Sequence, residues 1–216
     1  DVIMMKIKWL GHSCFLLTSN SGVRVLTDPF DEQVGYELPA VETDVVTVSH
    51  DHFDHNHVSV VKGNFACIDK PGKFSERGID ITGVSTFHDE NGGAKRGTNI
   101  VFKFDIDGIR VCHCGDLGHL LTPEQIKEIG EVDVLLLPVG GTFTVDAAGA
   151  YEVVKQLKPA VTIPMHFKTE MLKFQVDGVN NFLSIAGGGE MTGKQEIELD
   201  KDSLKDLAKI IVLDYK

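Results

Sequence analysis

His50-Asp51-His52-Phe53-Asp54-His55 decides how this chain is read. Four of these side chains, His50, His52, Asp54 and His55, are metal donors. They mix neutral imidazole nitrogen with charged carboxylate oxygen, a set that suits zinc, manganese or iron. The preceding Asp44-Val45-Val46-Thr47-Val48-Ser49 is apolar and β-branched and predicts a buried strand. Extended geometry continued past Ser49 projects His50 and His52 to one side. A bend then turns Asp54 and His55 toward the same point from another direction, as they open a helix over 57–62. One segment can thus serve two adjacent ions. The blander reading, a solvated His-rich loop, leaves the spacing of the donors unexplained. Asp51 points to the opposite side, and His57 reads as a solvated helix residue.

Working outward, the first third reads as strands over 7–10, 14–18 and 23–27, with Asn20-Ser21-Gly22 turning the last two into a hairpin. Further strands are predicted over 66–68, 79–86, 100–105 and 109–114, the last pair joined at Asp107-Gly108. A helix over 123–129 has Thr122 as N-cap and proline at its first position. A strand over 132–137 precedes a helix over 147–157, capped by Asp146 and closed before Pro159. A strand over 160–164, a weaker helix over 179–186 and a strand over 195–199 complete the pattern; 204–213 is apolar but unassigned. Asp28, His50, His88, Asp116 and His166 each come just after an apolar strand. Strand ends at one edge of packed sheets are where several loops converge. There His50, His52 and His88 can hold one ion and Asp54, His55 and His166 a second. Asp116, with two carboxylate oxygens, can bridge them. The count leaves positions open for water, as a catalytic site requires.

Composition narrows the class. With 216 residues, 42% hydrophobic and 25% charged, the chain is long enough to bury a sizeable core. No apolar run approaches a membrane span, and the N-terminal stretch lacks a signal-peptide pattern, so a cytoplasmic protein is expected. A net charge of −11 repels nucleic-acid phosphates, and Lys95-Arg96 is a thin exception. The four cysteines, 14, 67, 112 and 114, have no zinc-finger spacing; Cys112 and Cys114 flank His113 in an apolar strand and read as buried hydrophobes.

The pattern His50-x-His52-x-Asp54-His55, with later His88, Asp116 and His166, resembles the metallo-β-lactamase fold superfamily of metal-dependent hydrolases, over nearly the whole chain. Trp9-Leu10-Gly11-His12-Ser13, Gly115-Asp116-Leu117-Gly118-His119, Pro138-Val139-Gly140-Gly141 and Ile163-Pro164-Met165-His166 resemble a subgroup related to ascorbate-6-phosphate lactonases. The resemblance implies one domain over 1–216, a four-layer αββα sandwich of two mixed sheets with metals at one edge. It also implies that Asp28, in Thr27-Asp28-Pro29, orients a metal-binding histidine. Nothing matches the RNA-gripping arm of tRNA-processing nucleases, and no flavin domain is added.

The expected chemistry is hydrolysis by a hydroxide bridged between two divalent ions, zinc first, then manganese or iron. Asp54 orients the hydroxide or shuttles its proton. The expected substrate is a small lactone, ester or phosphodiester. A nuclease and a non-catalytic metal-binding regulatory protein are the alternatives; a map of basic surface separates the first, metal-dependent turnover the second. His119, Thr142, Thr144 and Lys168 are candidate substrate contacts. His12 reads equally as a turn residue or a neighbour of the metals, and His113 as a weaker rival of His88. Oligomeric state is not readable.

Overall fold

Alternation along the first strands sends their side chains to two different cores. The computed structural model describes residues 4–216; Asp1–Ile3, part of the stretch read as lacking a leader, lie outside the described residues. In β1 (Met5–Gly11), Met5, Ile7 and Trp9 point into the main core while Leu10 joins a second cluster. In β2 (Cys14–Thr18), Phe15 and Leu17 face the main core and Cys14 the second. β3 (Arg24–Thr27) and β4 (Val45–Thr47) divide Val25 from Leu26 and Val45 from Val46 in the same way. This is the two-residue period of a strand with both faces covered.

Two six-stranded mixed sheets result. The first runs outward from β1 through β2 and β3 to β4 and then β5 (Ala66–Ile68), with the late β13 (Glu196–Leu199) on the other side of β1. The second contains β6 (Gly72–Glu76), β7 (Ile79–Phe87), β8 (Thr98–Ile106), β9 (Ile109–His113), β10 (Val134–Pro138) and β11 (Val161–Met165) in sequence order. In each sheet three antiparallel pairings lead into two parallel ones, β3–β4–β5 in the first and β9–β10–β11 in the second. The parallel strands β10 and β11, the latter at the end of its sheet, are buried at every position, as strands covered on both faces are. A two-stranded parallel ribbon pairs β12 (Glu190–Met191) with β14 (Ile211–Val212), and β14 lies in the stretch 204–213 that the sequence leaves unassigned.

Helices flank the sandwich. α1 (Pro123–Ile129) starts with a capping box between Thr122 and Gln125 and packs on β7. α2 (Ala147–Leu157), capped by Asp146, packs on β10 and on α3 (Asn180–Ala186). The outer face of the first sheet is covered instead by loop residues, among them Phe30, Val34, Tyr36 and Leu172. The helix expected over 57–62 is a correction: only Val58–Val60 forms a 3-10 turn, and none of its residues is buried. Without an apolar face to dock, so short a segment gains no helical stability from packing. Among the described residues no helix is long and apolar enough to cross a membrane.

The C-terminal ends of the parallel strands lie together. Asp28 follows β3, the His50 segment follows β4, Asp116 follows β9 and His166 follows β11. The β1–β2 turn and the end of β7 bring His12 and His88 to the same edge.

Candidate metal centre

The segment that follows β4 is a compact turn rather than the continued strand expected from sequence. His52 N–H donates to His50 O (3.1 Å), and His55 and Asn56 N–H both donate to His52 O (2.9 and 3.0 Å). This fold, not strand pleating, brings the rings of His50 and His52 to 4.7 Å, edge to face.

Asp116 stands at the centre of the cluster. Its Oδ2 lies 3.3 Å from His50 Nε2, 3.1 Å from His55 Nε2 and 2.9 Å from His88 Nε2, while its Oδ1 lies 3.3 Å from His166 Nε2. Burial acts to raise its pKa, but His166, His55 and His50 outweigh burial and hold the carboxyl well below the ordinary range. Gly115 and Gly118 make this placement possible. Gly115 has φ 58°, and a Cβ there would meet Asn99 Oδ1 at 2.5 Å; a Cβ on Gly118 would meet the His88 and Asp89 backbone at 2.3 Å. Asn99 completes the turn by accepting from Asp116 N–H at 2.9 Å.

Asp28 orients two of the histidines. It is fully buried, accepts from Ser49 N–H (2.8 Å) and Ser49 Oγ–H (2.6 Å), and takes the Nδ1–H of His55 at 2.7 Å. With its own proton given to Asp28, Ser49 Oγ accepts from His50 Nδ1 at 2.8 Å. Both rings therefore carry their proton on Nδ1 and turn Nε2 toward the site. Once its Nε2 proton is displaced, His55 presents a lone pair there, facing those of Asp54 Oδ2 and Asp116 Oδ2, each 3.1 Å away. Three electron pairs converging in a buried space repel unless a cation lies between them. Nε2 of His50, His55 and His166 and Oδ1 of Asp116 are buried with no hydrogen-bond partner among the described residues. These donors fit a divalent ion in number, type and direction.

The donor atoms fall into two separate groups, each spanning no more than 4.8 Å, His50, His52 and His88, and His12, Asp54, His55 and His166; a third group, Asp28, His50 and His55, overlaps both. Sequence reasoning assigned the same histidines and Asp54 to two ions but left His12 undecided. His12 Nε2 lies 2.9 Å from Asp54 Oδ2, and its ring sits 4.1 Å from that of His166. Burial, with His166 beside it, pushes the His12 pKa down to about 3, leaving the ring neutral. His12, Asp28 and His166 all have left-handed backbone, with φ of 53°, 43° and 53°. Such conformations cost roughly 1–3 kcal/mol each and persist where surrounding structure dictates them. The signal for His12 was its glycine neighbour: a turn at Gly11-His12 can present a side chain inward. Nothing in sequence marked Ser49, a small polar residue among many.

The other expected residues divide. His113 belongs to none of the donor groups: its Nε2–H donates to Ser13 O (2.8 Å) and its Nδ1 accepts from Gly115 N–H (3.2 Å). The side chains of His119 and Lys168, expected as substrate contacts, are engaged by backbone groups. His119 Nε2 accepts from Phe87 N–H (3.0 Å), and Nδ1–H donates to Leu120 O (2.7 Å), so both ring nitrogens serve the backbone. The Lys168 ammonium is held by the Leu172 and Phe174 carbonyls, and neither His119 nor Lys168 lines the central cavity. Thr142 and Thr144 line a shallower recess beside His88, with their hydroxyls bonded to Gln175 O and Val145 O. The central cavity, about 480 Å³, opens onto His52, Asp54, His88 and Asp116.

Comparison with known proteins agrees with this geometry. Residues 6–166 match the beta-lactamase superfamily domain. A UPF0173 metal-dependent hydrolase of Archaeoglobus fulgidus is 34% identical over 196 residues, covering 76% of this chain and 84% of that protein. One from Thermoplasma acidophilum is 34% identical over 191 residues with the same coverage. A solved structure from Thermotoga maritima, described as a Zn-dependent hydrolase of the metallo-β-lactamase superfamily, is 47% identical. It superposes with a TM-score of 0.81 over 97% of this chain and 98% of that one. The chain belongs to the UPF0173 metal-dependent hydrolases of the metallo-β-lactamase superfamily.

Proposed function

We propose that the protein hydrolyses a small-molecule lactone, ester or phosphodiester with two divalent ions. His50, His52 and His88 would hold one ion and Asp54, His55 and His166, joined by His12, the other, with the Asp116 carboxylate available to both. The single observation that carries this reading is the central carboxylate of Asp116, with Nε2 of four histidines from three separate segments within 3.3 Å of its two oxygens. When bound, the ions supply a water made acidic enough to react near neutral pH and charge to stabilise the oxygen that becomes anionic.

The chain's own groups do the rest. Asp28 keeps the protons of His55 and His50, through Ser49, on the ring edges away from the site. Asp54 lines the cavity and takes up the proton of the attacking water, with His12 Nε2 at 2.9 Å to share it. No cysteine belongs to either donor group, which favours a hydrolytic over a structural metal centre. A cavity of about 480 Å³ suits a metabolite-sized substrate. The sequence likeness to ascorbate-6-phosphate lactonases is a reason to test lactones.

The test is metal-resolved turnover. The protein is stripped with chelator, reloaded with zinc, manganese or iron, and screened on lactones, thioesters, carboxyl esters and phosphodiesters. Metal-dependent turnover that disappears in both Asp54→Ala and His166→Ala is expected. Turnover that persists in either variant, or a protein that takes up no metal, overturns the assignment.

A further inference from the structure

The cavity above the metal donors has an aromatic wall that ends in an arginine. Phe53 and Phe174 meet edge to face with centroids 6.1 Å apart, and Phe174 meets Phe143 at 6.0 Å. Arg96 Cζ lies over the Phe143 ring, 5.6 Å from its centroid. The wall begins beside the metal donors, because the Phe174 ring also touches His12 at 5.5 Å. All four wall residues line the same cavity as Asp54 and Asp116.

Arg96 is the one basic side chain other than histidine lining this cavity among the described residues, in a protein with a net charge of −11. Carboxylates are abundant nearby, yet the ion pairs made by arginine among the described residues involve Arg24, Arg77 and Arg110, not Arg96. A guanidinium resting on an aromatic face keeps its N–H donors directed outward in its own plane, where they match a carboxylate or phosphate.

The loop that carries Arg96 is built rather than loose. Asp89 is buried and accepts four backbone N–H groups: Asn91 (2.7 Å) and Gly93 (2.9 Å) on Oδ1, Lys95 (2.9 Å) and Arg96 (2.7 Å) on Oδ2. Gly97 N–H donates to Gly93 O at 2.9 Å, and His88 N–H donates to Gly97 O at 3.0 Å. The loop base is therefore tied directly to a residue of the metal centre. Fixing the backbone beforehand lowers the ordering cost of binding a ligand with Arg96.

We propose that Arg96 is a specificity-determining residue, and that the substrate carries a carboxylate or phosphate away from its scissile bond together with an apolar portion. Arg96 reads the anionic group; Phe143, Phe174 and Phe53 cover the apolar portion; the reacting bond lies over Asp54 and Asp116. This rests on the hydrolase reading above and names its substrate class. A nucleic-acid chain needs several neutralised phosphates, and this cavity offers one arginine.

The test is calorimetric titration of wild type, Arg96→Met and Arg96→Lys with phenylphosphonate and with neutral benzyl alcohol, the metal content of every sample being measured. Arg96→Met keeps much of the apolar stem and removes the charge; Arg96→Gln gives the same readout should that variant fail to fold. Phenylphosphonate is expected to bind wild type about tenfold more tightly than Arg96→Met, with Arg96→Lys between them. Benzyl alcohol is expected to bind all three alike. Equal phenylphosphonate affinity in wild type and Arg96→Met at equal metal content, or no binding to wild type, overturns the proposal. Absence of metal from every sample overturns the hydrolase reading instead, while the titration still reports on Arg96.

Discussion

A single buried carboxylate, Asp28, decides which nitrogen two histidines turn toward the metal centre. Its oxygens accept from Ser49 and His55, and Ser49 passes the constraint to His50. Asp28→Asn keeps the shape but replaces one acceptor oxygen with a donor, which faces either Ser49 N–H or both Ser49 Oγ–H and His55 Nδ1–H. The tautomer with Nε2 free is then no longer enforced. Metal affinity is expected to fall about 10–100-fold, read by competition with a chromophoric chelator, with little change in far-UV circular dichroism. Unchanged affinity would show that packing alone orients the rings. The place of Asp28 at the end of an apolar strand was legible in the sequence, but its orienting role was legible only through the resemblance to the superfamily. His12 was only half legible: its contact with Asp54 joins residues 42 apart, and no local pattern encodes such a meeting.

At the scale of elements, signals that act locally were readable and those that depend on pairing were not. Pro123 and Thr122 fix the start of α1, and Asp146 and Pro159 bracket α2, because caps and proline act within one turn of backbone. β6 escaped notice because Gly72-Lys73-Phe74-Ser75-Glu76 is a mostly exposed edge strand, held by its register with β7 rather than by apolar alternation. The turn over 115–118 shows the same dependence on its neighbours. Its Gly-Asp-Leu-Gly sequence looks like any turn, yet Gly118 lies against the His88 backbone with no room for a methyl group. Gly118→Ala must push apart the two segments that carry Asp116 and His88. A loss of about 1–3 kcal/mol in thermal or urea unfolding is expected, together with weaker metal binding. Thr122→Ala removes the α1 capping box and is expected to lose about 1 kcal/mol with metal affinity intact. Equal metal affinity in both variants would show that the close approach at Gly118 does not position the donors.

For the whole molecule, the metal centre is a joint between the two sheets. The first sheet and its loops supply His12, His50, His52, Asp54 and His55; the second supplies His88, Asp116 and His166. Ions held by both sets bind the folded chain and stabilise it by mass action, by about 2.7 kcal/mol at a hundredfold excess over Kd. The size of that effect depends on pH with a definite sign. In the metal-free protein burial opposes a charge on His55, but Asp116, Asp54 and Asp28 outweigh it and raise its pKa well above 6.5. A raised value contributes stability in full below 6.5 and loses it as pH climbs through the folded value. Asp116 and Asp28 are lowered, so their contribution is present above 3.8 and is lost as pH falls through their folded values. A divalent ion takes the place of the His55 proton, so binding releases protons and strengthens with pH. The gap in Tm between zinc-loaded and chelated protein is therefore expected to widen as pH rises above 6.5 and to close toward acid. Scanning calorimetry across that range measures it directly. A gap that stays constant, or narrows as pH rises, would mean that no proton is displaced at His55 and that no ion lies between Asp54, Asp116 and this ring.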